Sequence, residues 1–535
     1  MRILVNSQEM KQCDTNTIER RKVPSLVLME RAALGVVEEI SSRSIDSSRC
    51  LVVCGLGNNG GDGMAVARLL HQRGSDVTVV CDWKPEKATE QTRAQYEMLK
   101  AYEIPIVPRV AVAMGEKETA QITSGSDSAG VSVKITPSAY RRYPLIIDAI
   151  FGIGLSREIE GHWCEEIMAL NAMEGYKVAV DIPSGIHGDD GRRMGCAFRA
   201  DLTVTFAYEK TGLLLYPGCE YAGEVAVRDI GIDRYSWFDA KPTAYAYEDS
   251  DISRMPTRKD HSNKGTYGKV LVVAGKHNMA GAAYFSGKAA VMTGCGLVKI
   301  FTAEENRTII QQLLPEAILE TWTADETEQC DPVFGEKIGS CVSWADVVVL
   351  GPGLGTDSVA EAIVTEVLQR AACPVIADAD ALNLLAKNPQ PLRIRQGRTI
   401  LTPHMGEMAR LTGKSIEELS ASMVNSAAAV AKEYRAVCVL KDARTVTALP
   451  DGTYYVNTSG NNGMSTAGAG DVLTGIIAGL IAQGMSVEEA APLGVYLHGR
   501  AGDAIAEETG CYSMMASDII EGIRRITKAV TRKEA

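Results

Sequence analysis

Leu51-Val52-Val53-Cys54-Gly55-Leu56-Gly57-Asn58-Asn59-Gly60-Gly61-Asp62-Gly63 sets a short β-branched run against a glycine-rich turn, and a helical pattern through Val66, Leu69 and Leu70 follows at once. Strand, turn and helix in that order, with Gly55, Gly57 and Gly60 in G-x-G-x-x-G spacing, form the phosphate turn of a Rossmann-like unit. Glycines there let the backbone approach a phosphate at the helix N-terminus, where free N–H groups and the dipole favour an anion. A lone match equally describes a tight turn with nothing bound. The continuation from Asn58 to Gly63 adds two amides and an acid that a pyrophosphate does not need, so a further group is being held.

Outward from this turn, the same alternation repeats. Leu26, Met29, Ala32, Ala33, Val36, Val37 and Ile40 recur at helical spacing before it, a pattern that predicts an amphipathic helix covering a sheet face. After it come Val77 to Val80, Leu145 to Ile147, Val178 to Val180 and Leu202 to Thr205. Continuous apolar runs of this length fit strands buried on both faces, hence a parallel sheet. The stretch from about Met114 to Ser138 is polar and rich in Ser, Gly and Thr, which reads as a surface insertion. A second break runs from Arg234 to Asn263, with Lys241-Pro242 and Met255-Pro256 interrupting any periodicity. The alternation then restarts at Val270 to Ala274 and continues through Val347 to Leu350, Val375 to Ala377 and Val437 to Leu440. Two α/β domains follow. They show no repeat of one another.

The 535 residues carry 55 basic against 67 acidic side chains, a formal charge of -12. Such a field repels phosphate backbones and anionic lipid, which disfavours nucleic-acid and membrane partners. Apolar residues at 46% and charged residues at 23% exclude wholesale disorder. The thirteen cysteines are odd in number and contain no C-x-x-C pair, which suits reduced thiols in a cytoplasmic protein better than disulfides or zinc.

Two further strand ends resemble the first in equipment: Asp148, followed by Gly152-Ile153-Gly154-Leu155-Ser156-Arg157-Glu158, and Asp181-Ile182-Pro183-Ser184-Gly185. Ligands of an open α/β sheet sit beyond the carboxyl ends of its strands, so these loops are expected to meet in one cleft. Asp189 and Asp190 read as turn formers. Oxygens from an Asn, an Asp and the backbone suit a hard cation, and a remaining carboxylate could serve as acid or base.

In the second half, Thr466-Ala467-Gly468-Ala469-Gly470-Asp471 opens a strongly apolar helix. Asp471 would stand in its first turn, beside amides able to neutralise charge on a transferred phosphoryl group, where a carboxylate can take a hydroxyl proton. The alternative is an acid that only stabilises the helix dipole. Gly413-Lys414-Ser415 is not a Walker loop, because the required upstream glycine is Met408, and it reads as a helix end. Gly351 to Gly355, Pro403 to Glu407 and Lys441 to Thr445 are further loops after strands.

Asn58 to Gly63, Asp148 to Glu158 and Asp181 to Gly185, with Leu28 to Ala32 upstream, resemble the N-terminal NAD(P)HX epimerase domain of the bifunctional NAD(P)H-hydrate repair enzymes. The resemblance gives this domain the span 1–237 and implies a K+ site using Asn59, Asp148 and an oxygen at Ser184. It implies that Asn58, Asn59, Gly60, Gly61, Asp62, the loop Gly152, Ile153, Gly154, Leu155, Ser156, Arg157 and Glu158, and Asp181 hold the hydrated dinucleotide, with Asp181 moving the proton.

Gly265 to Val270, Gly351 to Gly355, Pro403 to Glu407 and Asn462 to Gly475 are similar to the C-terminal dehydratase domain of the same family, whose fold is ribokinase-like. This resemblance gives the second domain the span 243–531 and implies that Ala282, Gly355, His404 and Asp471 contact the hydrate, that Lys441, Asp442, Ala443, Arg444, Thr445 and Gly470 contact ADP, and that Mg2+ accompanies the nucleotide. Asp442 and Arg444 stand where the family more often has smaller or neutral residues. The implied partners are NADHX, NADPHX and ADP, in a homo-oligomer. Two other readings remain open: a vitamin or sugar kinase with Asp471 as base, and a first domain that only binds.

Overall fold

The computed structural model describes residues 1–110, 143–323, 332–395 and 398–531. The polar stretch 114–138 lies outside the described residues. The chain forms two compact units, one of Ile3–Pro242 and one of Thr243–Ala535 with Met1–Arg2.

The first unit contains β1 (Arg2–Val5, all but its first residue), β2 (Arg49–Cys54), β3 (Asp76–Val80), β4 (Ile106–Val107), β5 (Leu145–Ala149), β6 (Tyr176–Val180), β7 (Leu202–Phe206), β8 (Glu209–Lys210) and β9 (Glu224–Arg228). Seven of these make a parallel sheet in the order β4-β3-β2-β5-β6-β7-β9. Leu51, Val52, Val53 and Cys54 of β2 and Leu145, Ile146 and Ile147 of β5 are all 0% exposed. Burial on both faces is the physical reason that these runs are continuous rather than alternating. The flanking helices include α1 (Ser7–Glu19), α2 (Ser25–Ser42), α3 (Asn58–Gln72), α4 (Glu90–Ala101) and α5 (His162–Ala172). As the spacing predicts, α2 buries Met29, Ala32, Ala33, Val36, Val37 and Ile40, but Leu26 is 40% exposed and Leu28 takes the buried position at the start of the stripe. Strand order reverses between β2 and β5, so a crevice opens at their carboxyl ends. Beside this sheet, β1 pairs with β8 in parallel, with Val5 opposite Lys210.

The second unit contains β10 (Ala244–Ala246), β11 (Lys269–Val273), β12 (Leu297–Ala303), β13 (Ile318–Trp322), β14 (Val347–Leu350), β15 (Val375–Ala377), β16 (Thr399–Leu401), β17 (Val437–Leu440), β18 (Val446–Ala448) and β19 (Tyr454–Val456). They run in the order β13-β12-β11-β14-β15-β16-β17-β18-β19-β10. Pairing is parallel from β13 to β17, and β18 is antiparallel to both of its neighbours. Here the reversal lies between β11 and β14. The helices that position the site are α6 (Ala280–Thr293), α7 (Asp380–Lys387), α8 (Met405–Thr412), α9 (Ala469–Ala482) and α10 (Val487–Thr509). Helix α9 is buried over most of its surface because it packs on α6 through small residues. A Cβ on Gly475 would lie 2.3 Å from the Ser286 carbonyl oxygen. Gly413 ends α8 in the left-handed conformation, φ 73°, which makes Gly413-Lys414-Ser415 the helix end its sequence suggested.

Candidate functional site

In the first unit the loops after β2, β5 and β6 converge on a cleft of about 1230 Å³, larger than the roughly 300–1,000 Å³ of ordinary small-molecule pockets. Its lining includes Asn58, Asn59, Asp62, Asp181 and Lys210 and the run from Gly152 to Arg157. The glycine turn divides its labour. Gly60 is demanded by packing, since a Cβ there would meet the Gly55 carbonyl oxygen at 1.9 Å; Gly57 faces open space. Gly57 is also the N-cap of α3 and supplies no side-chain cap, which leaves the first amides of α3 to a ligand. Gly60 and Gly61 pack beneath this surface, and Glu158 is exposed and lies outside the cleft lining.

Asp148 is the penultimate residue of β5 and is 0% exposed. It accepts hydrogen bonds from Ser184 N–H at 2.7 Å, Ser184 Oγ at 2.6 Å and Ile150 N–H at 3.2 Å. Burial outweighs these bonds and lifts its pKa to about 6. Ser184 Oγ in turn accepts from Phe151 N–H at 2.9 Å, which ties the loops after β5 and β6 together. Asn59 Oδ1 and Nδ2 are both buried and have no partner among the described residues. An amide with nothing to bond costs about 1–3 kcal/mol, so this carboxamide points to a missing partner. A buried carboxylate, a serine and an orphaned amide oxygen are a donor set that fits a hard cation.

Asp181 follows β6 with φ 67°, a backbone conformation that few non-glycine residues adopt. It is 9% exposed. Its Oδ1 takes Lys210 Nζ at 2.5 Å and Thr205 Oγ1 at 3.2 Å. Lys210 is 1% exposed and also donates to Thr205 Oγ1 and the Phe206 carbonyl, each at 2.9 Å. Nothing in the sequence around Lys210 marks it; it reaches the cleft because β8 pairs with β1. Asp62, the fifth residue of α3, has its pKa raised well above the ordinary value by burial and then by Asp181 and Asp14, with Lys210 opposing. Asp189 ties down α1 by accepting from Ser7 N–H and Oγ, both at 2.6 Å, and Asp190 bonds His187 and Arg192.

In the second unit the functional groups stand at the carboxyl ends of β14 to β17 and at the start of α9. Asp471 is in the first turn of α9, whose N-cap, Gly468, has φ 91° and supplies no side-chain cap. Burial, reinforced by Asp378 and Asp380 and opposed by Lys441, pushes Asp471 up to about 7. Asp378 is buried and accepts from Lys441 Nζ at 2.7 Å and Thr402 Oγ1 at 2.8 Å. Burial alone would depress Lys441, but Asp378, Glu407 and Asp471 turn the balance and raise it. A Cβ on Gly470 would stand 3.5 Å from Lys441 Nζ, so Lys441 lies beside the α9 N-terminus.

His404 caps α8: its Nδ1 accepts from the N–H of Gly406 at 2.9 Å and of Glu407 at 3.4 Å. Burial and the neighbouring Lys441 and Arg410 lower its pKa, so the imidazole is neutral near pH 7 with its proton on Nε2. Gly355, φ 86°, donates its N–H to Asp380 Oδ2 at 2.8 Å, and Ala282 packs where a Cβ on Gly353 would touch it at 3.0 Å. Arg444 donates to the Thr458 carbonyl at 2.9 Å while its Nε stays buried without a partner. Thr445 Oγ1 bonds the Asp442 carbonyl at 3.1 Å, and Asp442 and Ala443 are exposed. Asp378 is a residue that sequence reasoning passed over, although the signal existed: like Asp148 and Asp181, it directly follows a short β-branched strand.

Comparison with known proteins adds independent findings. The family model described as NAD(P)H-hydrate dehydratase matches residues 270–525, and that of the YjeF-related protein N-terminus matches residues 25–212. The bifunctional NAD(P)H-hydrate repair enzyme Nnr of Thermofilum pendens is 38% identical over 94% of this chain and 92% of its own. The enzyme of the same name from Moorella thermoacetica is 38% identical over 97% of this chain and 95% of its own. The solved structure of an ADP/ATP-dependent NAD(P)H-hydrate dehydratase from Bacillus subtilis, co-crystallized with ATP/Mg2+, is 31% identical, covers 53% of this chain and 98% of its own, and has a TM-score of 0.46. Two α/β units, each matched by its own family model and both spanned by relatives of nearly equal length, place the chain in the family of bifunctional NAD(P)H-hydrate repair enzymes.

Proposed function

We propose that the first unit interconverts the R and S epimers of hydrated NAD(P)H at C6 of the nicotinamide ring, and that the second dehydrates the S epimer with ADP. The Asp181–Lys210 pair at 2.5 Å, buried at the edge of a dinucleotide-sized cleft beside an uncapped helix N-terminus, is the observation that carries the first half. The dinucleotide phosphates lie against Gly57 and the first amides of α3, which directs the hydrated ring toward Asp181. The ring nitrogen helps expel the C6 hydroxyl, Asp181 handles the proton, and the hydroxyl returns on the other face. Positioned acid–base help of this kind contributes about 10²–10⁴-fold. K+ would be held by Asn59, Asp148 and Ser184, as the orphaned Asn59 carboxamide suggests. Its contribution when bound is a fixed positive charge in a cleft lined by carboxylates.

In the second unit, Asp471 with its pKa near neutrality takes the proton of the C6 hydroxyl as that oxygen attacks the β-phosphorus of ADP. AMP leaves, and the poor leaving group becomes a phosphate ester. Phosphate then departs from C6 as C5 loses a proton, which restores the dihydronicotinamide double bond. The α9 amides and Lys441 stabilise charge on the phosphoryl group. Mg2+ would be held in part by the Asp380 carboxylate, one oxygen of which accepts the Gly355 N–H, and would supply positive charge against the nucleotide phosphates.

The test is a coupled assay of separated R and S hydrates with ADP or ATP, with and without K+. ADP-dependent recovery of dihydronicotinamide absorbance from S-hydrate, and from R-hydrate faster than spontaneous epimerisation, is expected. Phosphorylation of a pyrimidine or sugar alcohol with no loss of hydrate would replace this reading with the kinase one. Among the described residues no helix is long and apolar enough to cross a membrane.

A further inference from the structure

Past β3 the chain runs Cys81-Asp82-Trp83-Lys84-Pro85-Glu86-Lys87 before α4, and Asp82, Lys84 and Lys87 all line the first unit's cleft. Two hydrogen bonds hold the start of α4, just past this turn, against the glycine turn, and a ring stack holds the turn itself on α4. Thr89 donates its N–H to the Leu56 carbonyl at 3.2 Å, Thr92 Oγ1 donates to the Gly57 carbonyl at 2.9 Å, and Trp83 stacks on Tyr96 of α4 with 3.7 Å between ring centroids. A Lys87 N–H to Lys84 carbonyl bond of 3.0 Å closes the loop and holds the two lysines in one turn. Lys84 Nζ lies 2.6 Å from Asp82 Oδ2, with both side chains partly exposed at 45% and 39%. Exposed ion pairs of this sort contribute little to stability, so the fold does not account for an acid and two lysines on the cleft wall.

Their place in the sheet does account for them. Strand β3 is the neighbour of β2 on the side away from the switch point. In a sheet whose first strand delivers the dinucleotide phosphates to a helix N-terminus, the end of that next strand meets the adenosine ribose. A carboxylate there accepts from a 2′-hydroxyl, whereas a cation there accommodates a 2′-phosphate. Here the two sit together. We infer that Asp82, Lys84 and Lys87 form the ribose end of the epimerase cleft and let it take both substrates: Asp82 accepts from the 2′-hydroxyl of NADHX, and Lys84 and Lys87 engage the 2′-phosphate of NADPHX. This rests on the epimerase reading and deepens it. The Lys84 ammonium exchanges partners, pairing with Asp82 when the 2′-phosphate is absent and with the phosphate when it is present. Lysine's compact, freely rotating ammonium on a flexible stem suits such an exchange better than a planar guanidinium.

The experiment follows R-to-S conversion in the full chain by chromatographic separation of the epimers without ADP, a condition in which dehydration is silent. Initial rates are taken for NADHX and NADPHX over a range of ionic strength. The Lys84→Ala/Lys87→Ala double variant should raise KM for NADPHX about tenfold more than for NADHX. Asp82→Asn should move the same ratio the opposite way. Added salt should raise KM for NADPHX more than KM for NADHX in the unsubstituted chain, and do so less in the double variant, because exposed charges are screened. Opposite shifts of one ratio are something a merely structural role would not produce, and continued turnover of NADHX by the variants shows that they fold. Equal changes in both KM values, or a ratio indifferent to all three substitutions in a chain that epimerises both hydrates, would overturn the assignment while leaving the epimerase reading intact. Failure of the unsubstituted chain to epimerise either hydrate would sink both.

Discussion

Lys210 and Lys441 each lie beside a carboxylate, at 2.5 Å from Asp181 and 2.7 Å from Asp378, yet the two pairs stand in different electrostatic company. Around Lys210 the acids are Asp181 and Asp62, and removing the cation strands the Asp181 carboxylate, which is 9% exposed. Breaking one side of a buried pair costs about 3–5 kcal/mol. Lys210→Met should therefore lower the rate of R-to-S conversion by about 10²–10⁴-fold while ADP-dependent dehydration of S-hydrate persists, as chromatography of the epimers and dihydronicotinamide absorbance respectively report. Around Lys441 the charge that matters is Asp471, whose pKa near 7 is held down only by that lysine against burial, Asp378 and Asp380. In its proposed role as proton acceptor Asp471 must be unprotonated, so the dehydration rate at saturating ADP should plateau above pH 7 and fall about tenfold per unit below it. Lys441→Met removes the opposing charge, and the midpoint of the same profile should move to higher pH.

At the level of elements, both sites depend on a helix start that no side chain caps. Helices α3 and α9 begin at Gly57 and Gly468, and in each the exposed amides point to where three or more strand ends converge. Helix α9 can stand there only because it lies close on α6. A methyl on Gly475 would fall 2.3 Å from the Ser286 carbonyl oxygen and 2.7 Å from Ala289 Cβ, so one helix must move away from the other. Gly475→Ala should destabilise the second unit by about 1–3 kcal/mol, read as a lowered denaturation midpoint, and should raise KM for ADP because the α9 amides shift with the helix. Unaltered stability and KM would mean that the helix pair is looser than its contacts indicate.

On the scale of the whole molecule, the chain divides into two units, and all residues of the first cleft belong to one of them and all of the phosphoryl-transfer groups to the other. If the S-hydrate is released between the two reactions, the activities need not share a chain. A mixture of Asp181→Ala and Asp471→Asn proteins, each blocked in one step, should then convert R-hydrate fully to NAD(P)H with ADP, whereas either alone should not exceed the spontaneous epimerisation rate or should stop at S-hydrate. Fusion serves the stereospecific second step by supplying its substrate from the unreactive epimer.

What could be read without the structure was whatever lies close together along the chain. Continuous β-branched runs identified the buried parallel strands, the glycine turn after β2 marked the phosphate end of α3, and Asp148, Asp181 and Asp471 stood out because each sits at a strand end or helix start where ligands bind. Their partners were not legible. Lys210 follows no motif and comes to Asp181 through the pairing of β8 with β1, Asp378 ends a strand as other acids do but its pairing with Lys441 from past β17 is visible only in the fold, and the Asn59 amide, named from the sequence, is seen to lack a bond only there. Local sequence encodes strands, turns and caps because those depend on neighbours a few residues apart. Charge pairing, burial and the shared walls of a cleft depend on side chains brought together from distant positions, and only the tertiary structure decides them.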